Sequence, residues 1–146
     1  MLKINPELLR QIYDHTEAAY PHECCGVMIG TMETPGDVKT VLAFRKCKNL
    51  NTERAHDRYE MDPLDQLRAE QECVNSGLSI VGIYHSHPDH PSRPSQTDLE
   101  ASAPVYSYVI ISVQQGRVAS VNSWLLNERE HKFEEEPMVI QGEDTK

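Results

Sequence analysis

Two histidines one residue apart, His85 and His87, are followed by Pro88 and, beyond two further prolines, by Ser95 and Asp98. Alternate residues of a strand project to one face, with Cα atoms about 6.6 Å apart. Two imidazoles so placed can converge on one zinc ion, at roughly 2.0–2.1 Å from each nitrogen. Pro88 breaks a strand because it has no N–H for the ladder, and with Pro91 and Pro94 it stiffens the loop that follows. Ser95 is a good N-cap, which puts Asp98 at the third position of a new helix, facing the loop. A His, His, Asp set fills three positions of a tetrahedral zinc and leaves the fourth to a water, the pattern of a catalytic rather than a structural site. One Zn2+ per chain is the reading.

Each half of this segment has an ordinary reading when taken singly. Ser-x-x-Asp ahead of a helix is a capping arrangement, and an isolated His-x-His is more often structural than metal-binding. Joined by a proline turn, the two halves reinforce each other. Zinc acidifies its water to a pKa of about 7 in favourable sites, and hydrolysis then needs a base that is near the water but not bound to the metal.

His85-x-His87, seven residues, then Ser95-x-x-Asp98 resembles the zinc motif of the JAMM (MPN-plus) metallopeptidases at every position. In that family a glutamate on an early strand, often just before a Cys-Gly pair, completes the site. Pro21-His22-Glu23-Cys24-Cys25-Gly26 fits and singles out Glu23. The resemblance runs from the first helix to about Leu126. It implies a curved mixed sheet flanked by helices, related to the zinc deaminases, and a peptidase that cuts peptide or isopeptide bonds next to ubiquitin-like C-termini. Glu23 would take a proton from the attacking water and hand it to the leaving amine, and Ser95 would donate a hydrogen bond to the oxyanion.

Glu-Cys-Cys-Gly and the zinc-loop stretch Ser-His-Pro-Asp-His-Pro look like the small stand-alone prokaryotic branch. That branch is associated with ubiquitin-like sulfur-carrier proteins of the ThiS and MoaD kind, from whose C-terminal Gly-Gly it removes a cysteine or a short tail. The implied partner is such a carrier. A catalytically silent scaffold of the same fold is the first alternative, against which stands retention of Glu23, both histidines, Ser95 and Asp98. A family member acting on an unrelated protein or peptide, including a DNA-repair or phage-tail form, is another. The Pro-Cys-x-x-Cys of a zinc deaminase is absent.

The elements that must position these residues follow from patterning. Asn5-Pro6 predicts a helix with Leu8, Leu9, Ile12, Thr16 and Ala19 at helical spacing, stopped at Tyr20-Pro21. Residues 25–29 predict a strand ending at Gly30, then a turn over 32–37 and a returning strand over 38–44. Residues 49–58 are polar and aperiodic, a mobile loop, with a short strand at 59–61. Asp62-Pro63 repeats the cap-and-proline start, Leu64, Leu67, Gln71 and Val74 line one helical face, and Gly77 ends the helix. A buried strand over 78–84 delivers His85. A short helix over 95–103, strands at 106–113 and 117–126, and a weaker stretch over 132–140 complete an α+β domain spanning 1–140. Residues 141–146 are expected to form a frayed tail.

Other conspicuous residues receive plainer readings. His22 reads as a partly exposed structural histidine, His90 as solvated, Asp89 as a substrate contact or a turn cap, and Ser86 as a back-face residue limited to a supporting hydrogen bond behind the ligands. Trp124, Tyr106 and Tyr108 read as core or groove wall, and Glu134, Glu135 and Glu136 as a solvated run.

The formal charge of −9 on 146 residues opposes a phosphate-tracking nucleic-acid binder. No apolar run approaches the roughly 20 residues needed to cross a bilayer. The start, Met1 to Pro6, has no apolar region or cleavage site of a secretory signal, so a cytoplasmic location is expected. The four cysteines form no C-x-x-C pair and read as reduced and structural. An open sheet edge would allow a homodimer.

Overall fold

Asn5 caps the first helix as its residue type predicts, its Oδ1 accepting from the Leu8 N–H at 2.8 Å. Asp62 does the same for the second, accepting from Leu64 N–H, and Gly77 closes that helix in the left-handed region at φ 73°. The computed structural model describes residues 1–34 and 37–141. In chain order it contains β1 (Leu2–Ile4), α1 (Pro6–Ala19), β2 (Cys25–Glu33), β3 (Val38–Cys47), α2 (Pro63–Ser76) and β4 (Ser79–Pro88). Then come α3 (Gln96–Glu100), β5 (Ser107–Gln114), β6 (Arg117–Asn127), β7 (Lys132–Glu136) and β8 (Met138–Ile140). Pro35 and Gly36 of the predicted turn, and the predicted tail beyond Gln141, lie outside the described residues.

All eight strands join one mixed sheet in the order β7-β6-β5-β4-β2-β3-β1-β8. It is parallel at β4/β5, β1/β3 and β1/β8 and antiparallel elsewhere. Register shifts at Ile29/Gly30 and Ser112/Val113 mark places where such a sheet bends. The class is α+β, as the order of elements predicts.

The two long helices cover opposite faces. Leu9 and Ile12 of α1 pack with Met28, Val41, Tyr84, Val109 and Ile111. Ala69 and Cys73 of α2 pack with Cys25, Val27, Ile29 and Cys47. Alternation along β4 puts Tyr84 on the α1 side and Ile83 on the α2 side. His85 and His87 therefore share the α2 side.

Several elements differ from the sequence expectation. β2 does not stop at Gly30, because the missing side chain is what lets the strand pass: a Cβ there would lie 1.8 Å from the Thr40 carbonyl oxygen. The three-residue β1 carries too short a pattern to read, yet it buries Leu2 and Ile4 between β3 and β8. Residues 59–61 contribute a single bridge, Asn49 to Met61. The helix expected over 95–103 ends at Glu100, because Ala103 N–H donates to the Tyr108 hydroxyl at 2.7 Å instead of continuing the ladder. Leu64, Leu67 and Val74 do share a helical face, but it is the outward one, with Val74 82% exposed. Glu136 is not solvated: it is buried, accepting from Ser123 Oγ at 2.8 Å and from the N-terminal ammonium at 3.1 Å. Among the described residues no helix is long and apolar enough to cross a membrane.

Candidate metal centre

The end of β4 places two buried imidazoles side by side, with His85 Nε2 and His87 Nε2 3.1 Å apart. Asp98, at the third position of α3, faces both. Its Oδ1 lies 3.1 Å from His85 Nε2 and its Oδ2 3.1 Å from His87 Nε2. The capping reading of Ser-x-x-Asp holds at the same time: Ser95 Oγ accepts from Asp98 N–H at 3.1 Å, and Asp98 Oδ2 accepts from Ser95 N–H at 2.8 Å. The reciprocal cap is thus what aims the carboxylate at the histidines.

This donor set fits a divalent cation. Ligand atoms of a tetrahedral zinc with bonds of roughly 2.0–2.1 Å lie about 3.3 Å from one another, close to the spacing found here. Two imidazole nitrogens facing each other and one carboxylate need positive charge between them, and a single proton serves only one pair. His87 Nδ1 lies 2.8 Å from the Pro91 carbonyl oxygen. A carbonyl only accepts, so the proton sits on Nδ1 and the Nε2 lone pair points to the centre. His85 Nδ1 finds no partner among the described residues; that ring is held by stacking on Tyr59, with centroids 4.6 Å apart.

The electrostatics agree with this arrangement. Burial lowers the pKa of His85. Burial also pulls His87 down, but the hydrogen bonds to Asp98 and Pro91 outweigh it and the net shift is upward. For Asp98 burial opposes ionisation, yet the partners His85, His87 and Ser95 N–H hold the carboxyl well below the usual range.

Glu23 sits just ahead of β2, buried, beside this cluster. Burial pushes its carboxyl up to about 8, against a smaller lowering by His87. Its backbone is clamped by the 49–58 loop: Glu23 N–H donates to the Ala55 carbonyl, and Asn49 Nδ2 donates to the Glu23 carbonyl at 3.0 Å. Ser86, between the two histidines and on the opposite face, accepts from Cys24 N–H at 3.0 Å. Its role is the supporting one expected of it.

Two clefts meet at Glu23. One, of about 280 Å³, is walled by Tyr59, Met61, Ile83, Asp98 and Tyr108. The other, of about 370 Å³, is walled by His87, His90, Arg93 and Ser95. Glu23, Asp57 and Arg58 line both. All five site residues named from the sequence therefore gather in one place. Sequence reasoning does not single out Asp57 and Arg58, whose loop has no motif, or Tyr59, which follows it. Tyr108, which reads as core or wall, is buried in the wall. His22 is exposed and lines neither cleft. Asp89 is a cap, accepting from Tyr20 Oη at 2.6 Å and Gln115 N–H at 2.9 Å.

Residues 5–127 match the family described as prokaryotic homologs of the JAB domain. The desampylase of Haloferax volcanii is 39% identical over 93 residues, 63% of this chain and 63% of that protein, so the match spans less than two thirds of that relative. The desampylase of Pyrococcus furiosus is 31% identical over 120 residues, 82% of this chain and 76% of that protein. The CysO-cysteine peptidase of Mycobacterium bovis is 28% identical over 115 residues, 78% and 75% of the two chains. Among solved structures, a protein from Desulfitobacterium hafniense superposes with a TM-score of 0.84 at 29% identity, covering 98% of this chain and 94% of that one. A JAB1/MPN domain protein from Archaeoglobus fulgidus, at 20% identity, shares the fold with a TM-score of 0.56 over 97% of each chain.

Proposed function

Because the chain belongs to the prokaryotic homologs of the JAB domain, we propose that it is a zinc-dependent hydrolase acting on the C-terminal end of a ubiquitin-like protein. It cleaves the peptide or isopeptide bond that follows the terminal Gly-Gly of its substrate. The observation that carries the reading is the convergence of His85, His87 and Asp98 at 3.1 Å beside a buried Glu23 that no metal ligand set requires. Relatives named desampylase and CysO-cysteine peptidase support a ubiquitin-like substrate. A sulfur carrier of the ThiS or MoaD kind is our preferred one.

In this reading His85, His87 and Asp98 hold the zinc, which when bound polarises the scissile carbonyl and acidifies water. Glu23 accepts the proton of the attacking water and delivers it to the leaving amine. It serves as base and then as acid. The Ser95 hydroxyl, whose oxygen accepts from Asp98 N–H, keeps its own proton to donate to the developing oxyanion. The two clefts that meet at Glu23 receive the chain on either side of the cut. Four free, buried cysteines suit a reducing, cytoplasmic setting. The outermost strands β7 and β8 are the edges through which a homodimer would pair.

The test is cleavage of a ThiS-like or MoaD-like carrier extended past its Gly-Gly, followed by intact-protein mass spectrometry with and without chelator. Chelator-sensitive loss of the extension is expected. One bound zinc per chain without cleavage of any such carrier would refute the substrate and leave the metal site standing.

A further inference from the structure

We infer that Trp124, on a strand that carries no site residue, is a positioning residue for the metal centre, acting through Ser92. This rests on the assignment of His87 as a zinc ligand. The ring of His87 is oriented by the Pro91 carbonyl, so whatever fixes that peptide fixes the direction of Nε2. Pro91 is itself exposed and its neighbour Ser92 is buried, at 4% exposure.

Ser92 is held from three directions by β6. The Trp124 indole N–H donates to the Ser92 carbonyl at 3.0 Å. The Ser92 hydroxyl donates to Asn122 Oδ1 at 2.5 Å and, having spent its proton there, accepts from Ser120 Oγ at 2.8 Å. The Asn122 amide is turned the right way because its Nδ2 donates to Glu135 Oε2 on β7 at 2.7 Å. A serine in the middle of a solvent-side loop is thus anchored through both its hydroxyl and its carbonyl.

Trp124 also lies near the segment that carries the other half of the ligand set. Its ring walls a cleft together with Arg93, Pro94, Ser95, Gln96 and Leu99, the segment that carries the reciprocal cap of Asp98. The indole therefore braces the peptide next to the one that orients His87, and it faces the turn that aims Asp98 across a shared cleft. Partners that orient metal ligands commonly change metal affinity by about 10–100-fold when removed. Trp124→Phe keeps the aromatic ring and removes only the donor, and Ser92→Ala removes the hydroxyl and keeps the backbone.

The experiment measures zinc affinity of the full chain by competition with a chromophoric chelator, for wild type, Trp124→Phe, Ser92→Ala and Val118→Ala. Val118 lies on the same strand but packs with the core on the α1 side, so it controls for general loosening of β6. Both test variants are expected to bind zinc at least about 10-fold more weakly than Val118→Ala. Trp124 is the one tryptophan of the chain, so zinc added to metal-free wild type should shift its emission. Zinc affinities in both variants within twofold of the Val118→Ala control overturn the inference, as does unchanged emission on stoichiometric zinc binding. Should Trp124→Phe fail to fold, Ser92→Ala and the emission of wild type decide it. Absence of zinc binding by wild type would instead refute the metal reading on which the inference depends.

Discussion

Replacing Glu23 by Gln should stabilise the metal-free protein, and increasingly so as the pH rises. The glutamate is buried, and burial raises its carboxyl from an ordinary 4.5 to about 8. An acid whose folded pKa is raised binds its proton more tightly when folded. Its stabilising contribution is complete below the unfolded value, near 4.5, and is lost as pH climbs through about 8. A tenfold change in proton affinity corresponds to about 1.4 kcal/mol. By pH 7 the folded state has therefore lost about 3 kcal/mol relative to low pH, against under about 1 kcal/mol at pH 5. Glutamine mimics the protonated form and loses nothing.

The stability gap between Glu23→Gln and wild type should therefore widen by about 2 kcal/mol from pH 5 to pH 7, or roughly 5–8 °C in midpoint for a chain of this size. Urea or thermal unfolding of both proteins after chelator treatment, at half-unit pH steps, reads this directly. His85, His87 and Asp98 titrate in both proteins and largely cancel in the difference. Restoring zinc should shrink the slope, because a nearby cation favours the ionised carboxylate. Curves for the two metal-free proteins that stay parallel from pH 5 to 8 would refute the claim that Glu23 is desolvated at the centre.

Other variants probe separate links. His87→Ala and Asp98→Ala should each leave less than stoichiometric zinc by elemental analysis, whereas Glu23→Gln should keep it while losing turnover; full occupancy in either ligand variant would sink the assignment. Ser95→Ala should lower kcat by about 10²–10³-fold if the hydroxyl serves the oxyanion, and loss of its cap should destabilise the fold by about 0.5–2 kcal/mol. A loss of stability with unchanged kcat would reduce Ser95 to its capping role. On α2, Val74→Lys should change stability by less than about 0.5 kcal/mol, as exposed substitutions do. Ile12→Ala on α1, which is fully buried, should cost about 2–5 kcal/mol. Chemical denaturation giving similar losses for both would contradict the assignment of inward and outward faces.

The parts of this molecule that are legible in sequence are those whose physics is local. A cap and a proline at Asn5-Pro6 and Asp62-Pro63, a left-handed glycine at Gly77, and alternation through His85 and His87 each involve neighbours within a few residues. Asp98 belongs with them, because its aim is set by a reciprocal cap three residues long. Features that depend on distant parts of the chain are not legible in this way. Gly30 reads as a strand end until the Thr40 carbonyl beside it is known. Leu64, Leu67 and Val74 read as a face without saying which way it points. The reason is that α2 buries small residues, Ala69 and Cys73, against a closely approaching sheet.

The same division runs through the site itself. Three candidate ligands lie on one segment, and the nearby proline loop makes their convergence readable. The groups that surround the ligands arrive from a distance. Asp57 and Arg58 line both clefts only because the backbone of their loop is hydrogen-bonded to Glu23. Ser92 gains its meaning from Trp124 and Asn122 on another strand, residues whose own neighbours in sequence give no hint of a metal. The ligand spacing therefore predicts a metal, while the surroundings of that metal form only once β6 and the 49–58 loop are folded around it.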